Sequence, residues 1–274
     1  RIHFMLKKVF ISAFIFAVSG IGIHAQCNVA ESVFQPEEKY DYLVSYHLSS
    51  IWVKAGVVSF VTHKTTYRGK DSWFLESYGS SLPRFDWFFR VRDTFRAYTD
   101  ADTFVPDFAE RVSDEGGYIV IEQYNYDKIR SKIFSRVYSS GKPWKYDTFK
   151  YEPCINDVLT AVYAARNQDF SNIKPQEKVP FQTLVFGKIQ PLYIRFLGIE
   201  TIQLKNGQKF NCLKFSSKLV EGTIFKGGED MFVWVTNDKN HIAVKIQAKI
   251  VIGSVVAELT SFKNNKYPLT SLQK

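Results

Sequence analysis

Histidine and cysteine are scarce in this 274-residue sequence, with five of the first and three of the second. Two histidines fall in an N-terminal segment read below as a leader, which leaves His47, His63 and His241. None sits at metal-ligand spacing to another histidine or cysteine, and no HExxH occurs, so the three read as strand positions and no metal or cofactor is expected. The Gly-x-Ser-x-Gly elbow of α/β-hydrolases, the P-loop and the dinucleotide fingerprint are also missing. Gly116-Gly117 and Gly227-Gly228 are turn signals with no helix after them, which argues against phosphate binding. Carboxylates are plentiful, but no pair stands out as an acid and its base, and no catalytic residue is assigned. There is no repeat of fixed period and no low-complexity tract. Three cysteines, Cys27, Cys154 and Cys212, allow at most one intrachain bridge. Cys154 with Cys212 is the preferred pair, with three free thiols as the alternative.

Only the N-terminus carries a long apolar run. Lys7 and Lys8 precede Val9, Phe10 and Ile11, then the stretch Ala13 to Val18, then Gly20 and Gly22. Basic, apolar and small residues in that order make a secretory signal, with Ile23-His24-Ala25 placing cleavage before Gln26. No later stretch approaches the roughly 18–20 apolar residues of a membrane span. Gln26 before Cys27 argues against lipidation, which wants a small residue there. An exported, soluble periplasmic protein is therefore expected. Loss of Arg1, Lys7 and Lys8 lowers the formal net charge from +9 to +6. Those charges are scattered rather than gathered in a stripe, so no nucleic-acid partner is expected.

The rest reads as strands. Tyr40, Tyr42, Val44 and Tyr46 alternate with polar residues, the period of a sheet with one wet face. Similar segments run over Trp52–Thr62, Ser72–Tyr78, Phe88–Tyr98, Tyr118–Tyr126 and Arg130–Tyr138. In the second half they run over Phe181–Phe186, Tyr193–Leu204, Lys209–Leu219, Asp230–Thr236, His241–Ile252 and Ser254–Phe262. Asn206-Gly207 suits a type I′ hairpin turn, where both central residues need positive φ. One segment differs: Ile155, Val158, Leu159, Val162 and Tyr163 share one face of a helix, predicted over Cys154–Asn167. The fold class is thus mainly β, a large curved antiparallel sheet or half-open barrel with one amphipathic helix against it. Residues 1–25 form the signal, 26–38 an N-terminal arm, 39–263 one β-rich domain and 264–274 a tail.

The stretch from Phe85 to Phe95 embeds Asp86, Arg90, Arg92 and Asp93 among aromatics. Arg90 and Arg92 form either an anion-recognition pair or structural ion pairs with Asp86 or Asp93, and the second reading is preferred. Trp52, Phe60, Trp87 and Trp234 are candidates to line an apolar cavity, with Arg90 or Arg92 near its mouth; packing into a core is the alternative.

Glu38-x-Tyr40-x-Tyr42-x-Val44-x-Tyr46, Trp52-Val53-Lys54-Ala55-Gly56 and Phe89-Arg90-Val91-Arg92-Asp93 resemble the exported bacterial domain of unknown function 3108. Glu229 to Asp238 and the Ile252-Gly253-Ser254 turn also fit. The resemblance runs from about Glu38 to Phe262 and implies no established activity. A weaker fold-level similarity links Met231 to Phe262 with the envelope lipoprotein-carrier half-barrels. A binding or carrier protein for an apolar or amphipathic, lipid-like ligand is the leading expectation. An envelope glycan or peptide hydrolase and a pocketless interaction protein with an envelope partner are the alternatives.

Overall fold

The computed structural model describes residues 32–48, 51–87, 90–219, 228–250 and 253–273. The first half of the chain folds into β1 (Lys39–Leu48), β2 (Ile51–Tyr67), β3 (Lys70–Ser81), β4 (Val91–Asp100), β5 (Pro106–Glu115), β6 (Tyr118–Asp127), β7 (Lys132–Ser139) and β8 (Lys145–Lys150). A short strand β9 (Ile155–Asp157) leads into the helix α1 (Val158–Arg166). Then come β10 (Lys178–Val185), β11 (Lys188–Gln203), β12 (Lys209–Leu219), β13 (Gly228–Thr236), β14 (Ala243–Lys249), β15 (Ser254–Lys263) and β16 (Leu272–Gln273).

All of these strands belong to one sheet, ordered β8-β7-β6-β5-β4-β3-β2-β1-β15-β14-β13-β12-β11-β10-β9, with β16 added to β12. Its pairings are antiparallel except β9 on β10. The mainly β, curved-sheet expectation is what the chain adopts. The strip curls until its β10–β11 turn lies against β6. There the Phe186 amide donates to Glu122 at 3.0 Å and the Gly187 amide donates to the Tyr124 hydroxyl at 3.1 Å. Both turn residues take positive φ, a conformation glycine tolerates and phenylalanine rarely adopts. A side chain in place of Gly187 would press within 3.2 Å of Val137.

Bulges decide which residues face inward. In β1 the alternation puts Tyr40 and Tyr42 inside, but the register shifts between Val44 and Ser45, and Ser45 is buried in turn. The turn at Asn206-Gly207 also departs from expectation. Only Gly207 of the two takes positive φ, and its amide donates to the Leu204 carbonyl at 2.9 Å. Asn206 instead accepts from the Gln208 amide.

The helix is shorter than predicted because Asp157 caps it. Its side chain accepts from the amides of Leu159 at 2.9 Å and Thr160 at 3.2 Å, an N-cap arrangement that forces extended backbone at Asp157 itself. Ile155 therefore packs as a strand residue, paired with Gln182. Behind α1 the largest core gathers Leu159, Tyr163, Trp73, Leu75, Tyr124, Tyr126, Ile133 and Leu184. The described part of the N-terminal arm joins it: Phe34 is 1% exposed, edge-on to Trp73, Phe104 and Tyr163. The tail is also tied down, by β16 and by Asn240, whose side-chain amide donates to the Tyr267 carbonyl at 3.0 Å.

The preferred disulfide is corrected. Cys154 is bridged, to a partner outside the described residues, and Cys212 is a free thiol. Cys212 is fully buried on β12 with Phe210, Trp234 and Val244, whereas Cys154 borders the interior cavity. Burial pushes the Cys212 thiol up to about 12, which keeps it protonated and unreactive.

Candidate ligand cavity

The curl of the sheet encloses a cavity of about 950 Å³. One wall is β4–β7, where regular pairing sets inward side chains in rows. Phe95, Arg111, Glu122 and Val137 stand side by side across the four strands, and Asp93, Ser113, Val120 and Ser139 form the next row. All of these except Asp93 line the cavity, together with Glu115 and Tyr118. The facing wall, β10–β14, contributes Val179, Phe181, Leu192, Ile194, Phe215, Val233 and Ile246. Its polar lining is Thr183, Ser217 and the exposed Lys218.

The helix divides its own apolar residues between two environments. Leu159 and Tyr163 pack into the core, while Val158, Ala161, Val162 and Ala165 border the hollow. Val158 and Val162 are 36% and 44% exposed, so this flank is left uncovered inside the molecule. At the end of α1, Arg166 makes a two-point contact with buried Glu38 at 2.6 and 3.2 Å, and its Nε donates to the Asn240 carbonyl at 3.1 Å. Rings of Phe34, Tyr40 and Tyr163 surround the guanidinium. Such a pair is costly to break, because either charge left alone would be buried without a partner. His241 borders the cavity here, with its Nδ1 donating to the Arg166 carbonyl at 2.8 Å. Burial lowers its imidazole below the usual range, favouring the neutral ring.

On the polar wall, Glu122 is fully committed. It accepts from Arg111 at 3.2 Å, from the Tyr124 hydroxyl at 2.6 Å and from the Phe186 amide. Arg111 lies between the rings of Phe95 and Phe186, 5.5 and 5.4 Å from their centres. Glu115 is looser, with the Ser113 hydroxyl at 3.2 Å and Arg111 at 3.8 Å. Burial raises the Asp93 carboxyl above the usual range, although the Ser113 hydroxyl works the other way.

Of the residues expected around a cavity, Phe60 lines it, edge-on to Tyr42. Trp52, Trp87, Arg90, Arg92 and Trp234 lie off it. Trp52 is half exposed, stacked on His47 with the Lys205 ammonium above its ring. Trp87 is 84% exposed on the turn after the 3₁₀ turn Pro83–Phe85, and β4 runs from Val91, while Phe88 and Phe89 lie outside the described residues. Arg90 precedes β4 and pairs with Asp114, and Arg92 is held by Asp86, so both serve as structural ion pairs. Val233 and Val235 point inward, so strand alternation turns Trp234 away, where its Nε1 donates to Glu200. The sequence reading missed Arg111, Glu115 and Glu122. The one available signal was Glu122, an acid sharing a strand face with Tyr124 and Tyr126.

Among the described residues no helix is long and apolar enough to cross a membrane, and no group of three or more His, Cys, Asp or Glu could hold a metal ion. The fold and its hollow define a β-barrel-like protein, one open, curled and largely antiparallel sheet with a helix packed against it. The chain belongs to the family described as protein of unknown function (DUF3108), whose profile matches residues 41–260. Among solved structures it is similar to the crystal structure of a beta-barrel-like protein of domain of unknown function DUF1849 from Brucella abortus. The TM-score is 0.55 at 8% identity, covering 86% of this chain and 100% of that one. At that identity the likeness is one of fold. No curated protein matches the sequence.

Proposed function

We propose that this is an exported envelope protein that binds and carries an apolar or amphipathic, lipid-like molecule in the hollow of its sheet. The observation that carries the reading is the helix flank Val158-Ala161-Val162-Ala165, left uncovered opposite a wall of Val, Leu, Ile and Phe. Apolar side chains on both sides of a gap lose contact with each other and gain it from a guest, so an open apolar hollow is stabilised by occupation. Its volume lies at the upper end of the roughly 300–1,000 Å³ typical of small-molecule sites.

A hydrolase would need a carboxyl pair free to exchange protons, and Glu122 is engaged by three donors. A pocketless interaction protein does not fit a hollow of this size.

The test is mass spectrometry of organic extracts from protein purified out of its native envelope, paired with titration of a neutral hydrophobic dye. One lipid-like species at near-equal stoichiometry, and saturable dye binding lost in Val162→Asp, are expected. A lipid-free extract with no dye binding would end the proposal.

A further inference from the structure

Charge is distributed unevenly around the cavity. On the β5–β6 wall one cation, Arg111, faces two anions, Glu115 and Glu122, with Asp93 one strand away. Glu122 takes the nearer contact with Arg111, and the guanidinium lies under two aromatic rings. Glu115 stands 3.8 Å from the same arginine, beyond the roughly 2.7–2.9 Å of a charge-assisted hydrogen bond. Its side chain is 41% exposed, and its ion pair among the described residues is this long contact to an arginine that Glu122 already holds more closely, so the two carboxylates share one cation. Arg166 is matched by Glu38, and Lys218 is exposed on the opposite wall. Next to Glu115 lies Tyr118, whose half-exposed ring also lines the cavity. A carboxylate beside an aromatic face is a setting that attracts ammonium groups.

A second feature shows that the hollow has unmet hydrogen-bonding capacity. Two side chains that line this hollow, Thr183 and Tyr163, are more than nine-tenths buried and have hydroxyls with no protein partner. Buried hydroxyls are seldom left unpaired, because each forfeits its hydrogen bonds to water.

We propose that the cavity selects amphiphiles by head group. An alkylammonium head sits at Glu115 beside Tyr118 and Phe186, while its hydrocarbon lies along the helix flank and the β10–β13 wall. This rests on the carrier reading and adds the charge of the cargo. A fatty-acid carboxylate at the same position would meet Glu115 and Glu122 and is disfavoured. Binding is non-covalent, and charge repulsion or attraction at the half-exposed Glu115 is the whole of the selectivity.

The experiment uses three probes of one chain length, dodecylamine, dodecanol and dodecanoate, each displacing a neutral hydrophobic dye from the purified protein at neutral pH. Dodecylamine is expected to half-displace at about ten-fold lower concentration than dodecanoate, with dodecanol between them. Glu115→Gln should bring amine and acid to within about two-fold and leave dodecanol unchanged, and Glu115→Lys should reverse the order. Melting temperatures close to wild type establish that both variants are folded, as suits a half-exposed side chain. Dodecanoate binding as well as dodecylamine, or a preference that survives Glu115→Gln, would overturn the head-group proposal while leaving the carrier reading intact. Failure of the dye and all three probes to bind would overturn both.

Discussion

The two walls of the hollow use the same alternation for opposite ends. On β4–β7 the inward rows carry Arg111, Glu122 and Ser113, and ion pairs hold the interior. On β10–β13 the inward side chains are mostly hydrocarbon, with Thr183, Ser217 and the exposed Lys218 as exceptions, and an ion pair of the wall stands on the other face, where Glu229 gathers Arg195, Tyr193 and Ser216. An apolar wall can be built from shape alone, whereas a buried charged wall must satisfy every group it contains. The first therefore tolerates substitution at the cavity surface, and the second does not.

The largest effect is expected at Glu122. Glu122→Ala strips Arg111 of its near partner and releases the Tyr124 hydroxyl and the Phe186 amide, so the β10–β11 turn loses its hold on β6. A loss of about 3–5 kcal/mol is expected from urea unfolding. On the apolar wall, Thr183→Val removes a hydroxyl that has no partner, and stability should hold or rise by up to about 1 kcal/mol. Equal losses at the two sites would erase the distinction between the walls.

Next in size is a contrast within α1. Leu159→Ala opens a hole in the packed core and should cost about 2–5 kcal/mol. Val162→Ala, three residues on, faces the hollow and should cost less than about 1 kcal/mol by thermal melting while weakening dye binding. A large stability loss at Val162 would show that the flank is packed against protein rather than open to a guest.

These contrasts also mark what could be read from the sequence. The strands were legible where apolar and polar residues alternate, as in Tyr40–Tyr46, and the helix was legible from the spacing of Val158, Leu159, Val162 and Tyr163. The bulge at Val44-Ser45 was not, because a shift of one residue in pairing leaves no mark in composition. Strand β5 was missed for a related reason. Its inward row is polar beyond Ala109, with Arg111, Ser113 and Glu115, so the residues that build the charged wall disguise the strand that carries them. Tryptophans drew attention as cavity residues because of their size, yet Trp234 fills a second core off the cavity and Trp87 is 84% exposed. Side-chain chemistry was visible, but the face each residue occupies depends on register.

The smallest effect belongs to the charges outside the apolar wall. Hydrogen bonds from Arg195, Tyr193 and Ser216 hold the Glu229 carboxyl down to about 2, against an ordinary value of 4.5. A carboxyl that is more acidic in the folded chain contributes stability at pH values above its unfolded value. That contribution drains away as pH falls towards the folded value, here between about 4.5 and 2. Glu229→Gln should therefore lower stability at pH 7 but leave it nearly unchanged at pH 2, flattening the acid limb of a melting-temperature profile. Because the group is partly exposed, solvent screens the pair and the difference should shrink further in high salt. Glu122 offers the opposing case, since its own carboxylate is 1% exposed and salt should weaken its contacts far less. A salt-insensitive Glu229 pair would mean that the chain itself shields this outer cluster as it shields Glu122, and the contrast between the two faces would fail.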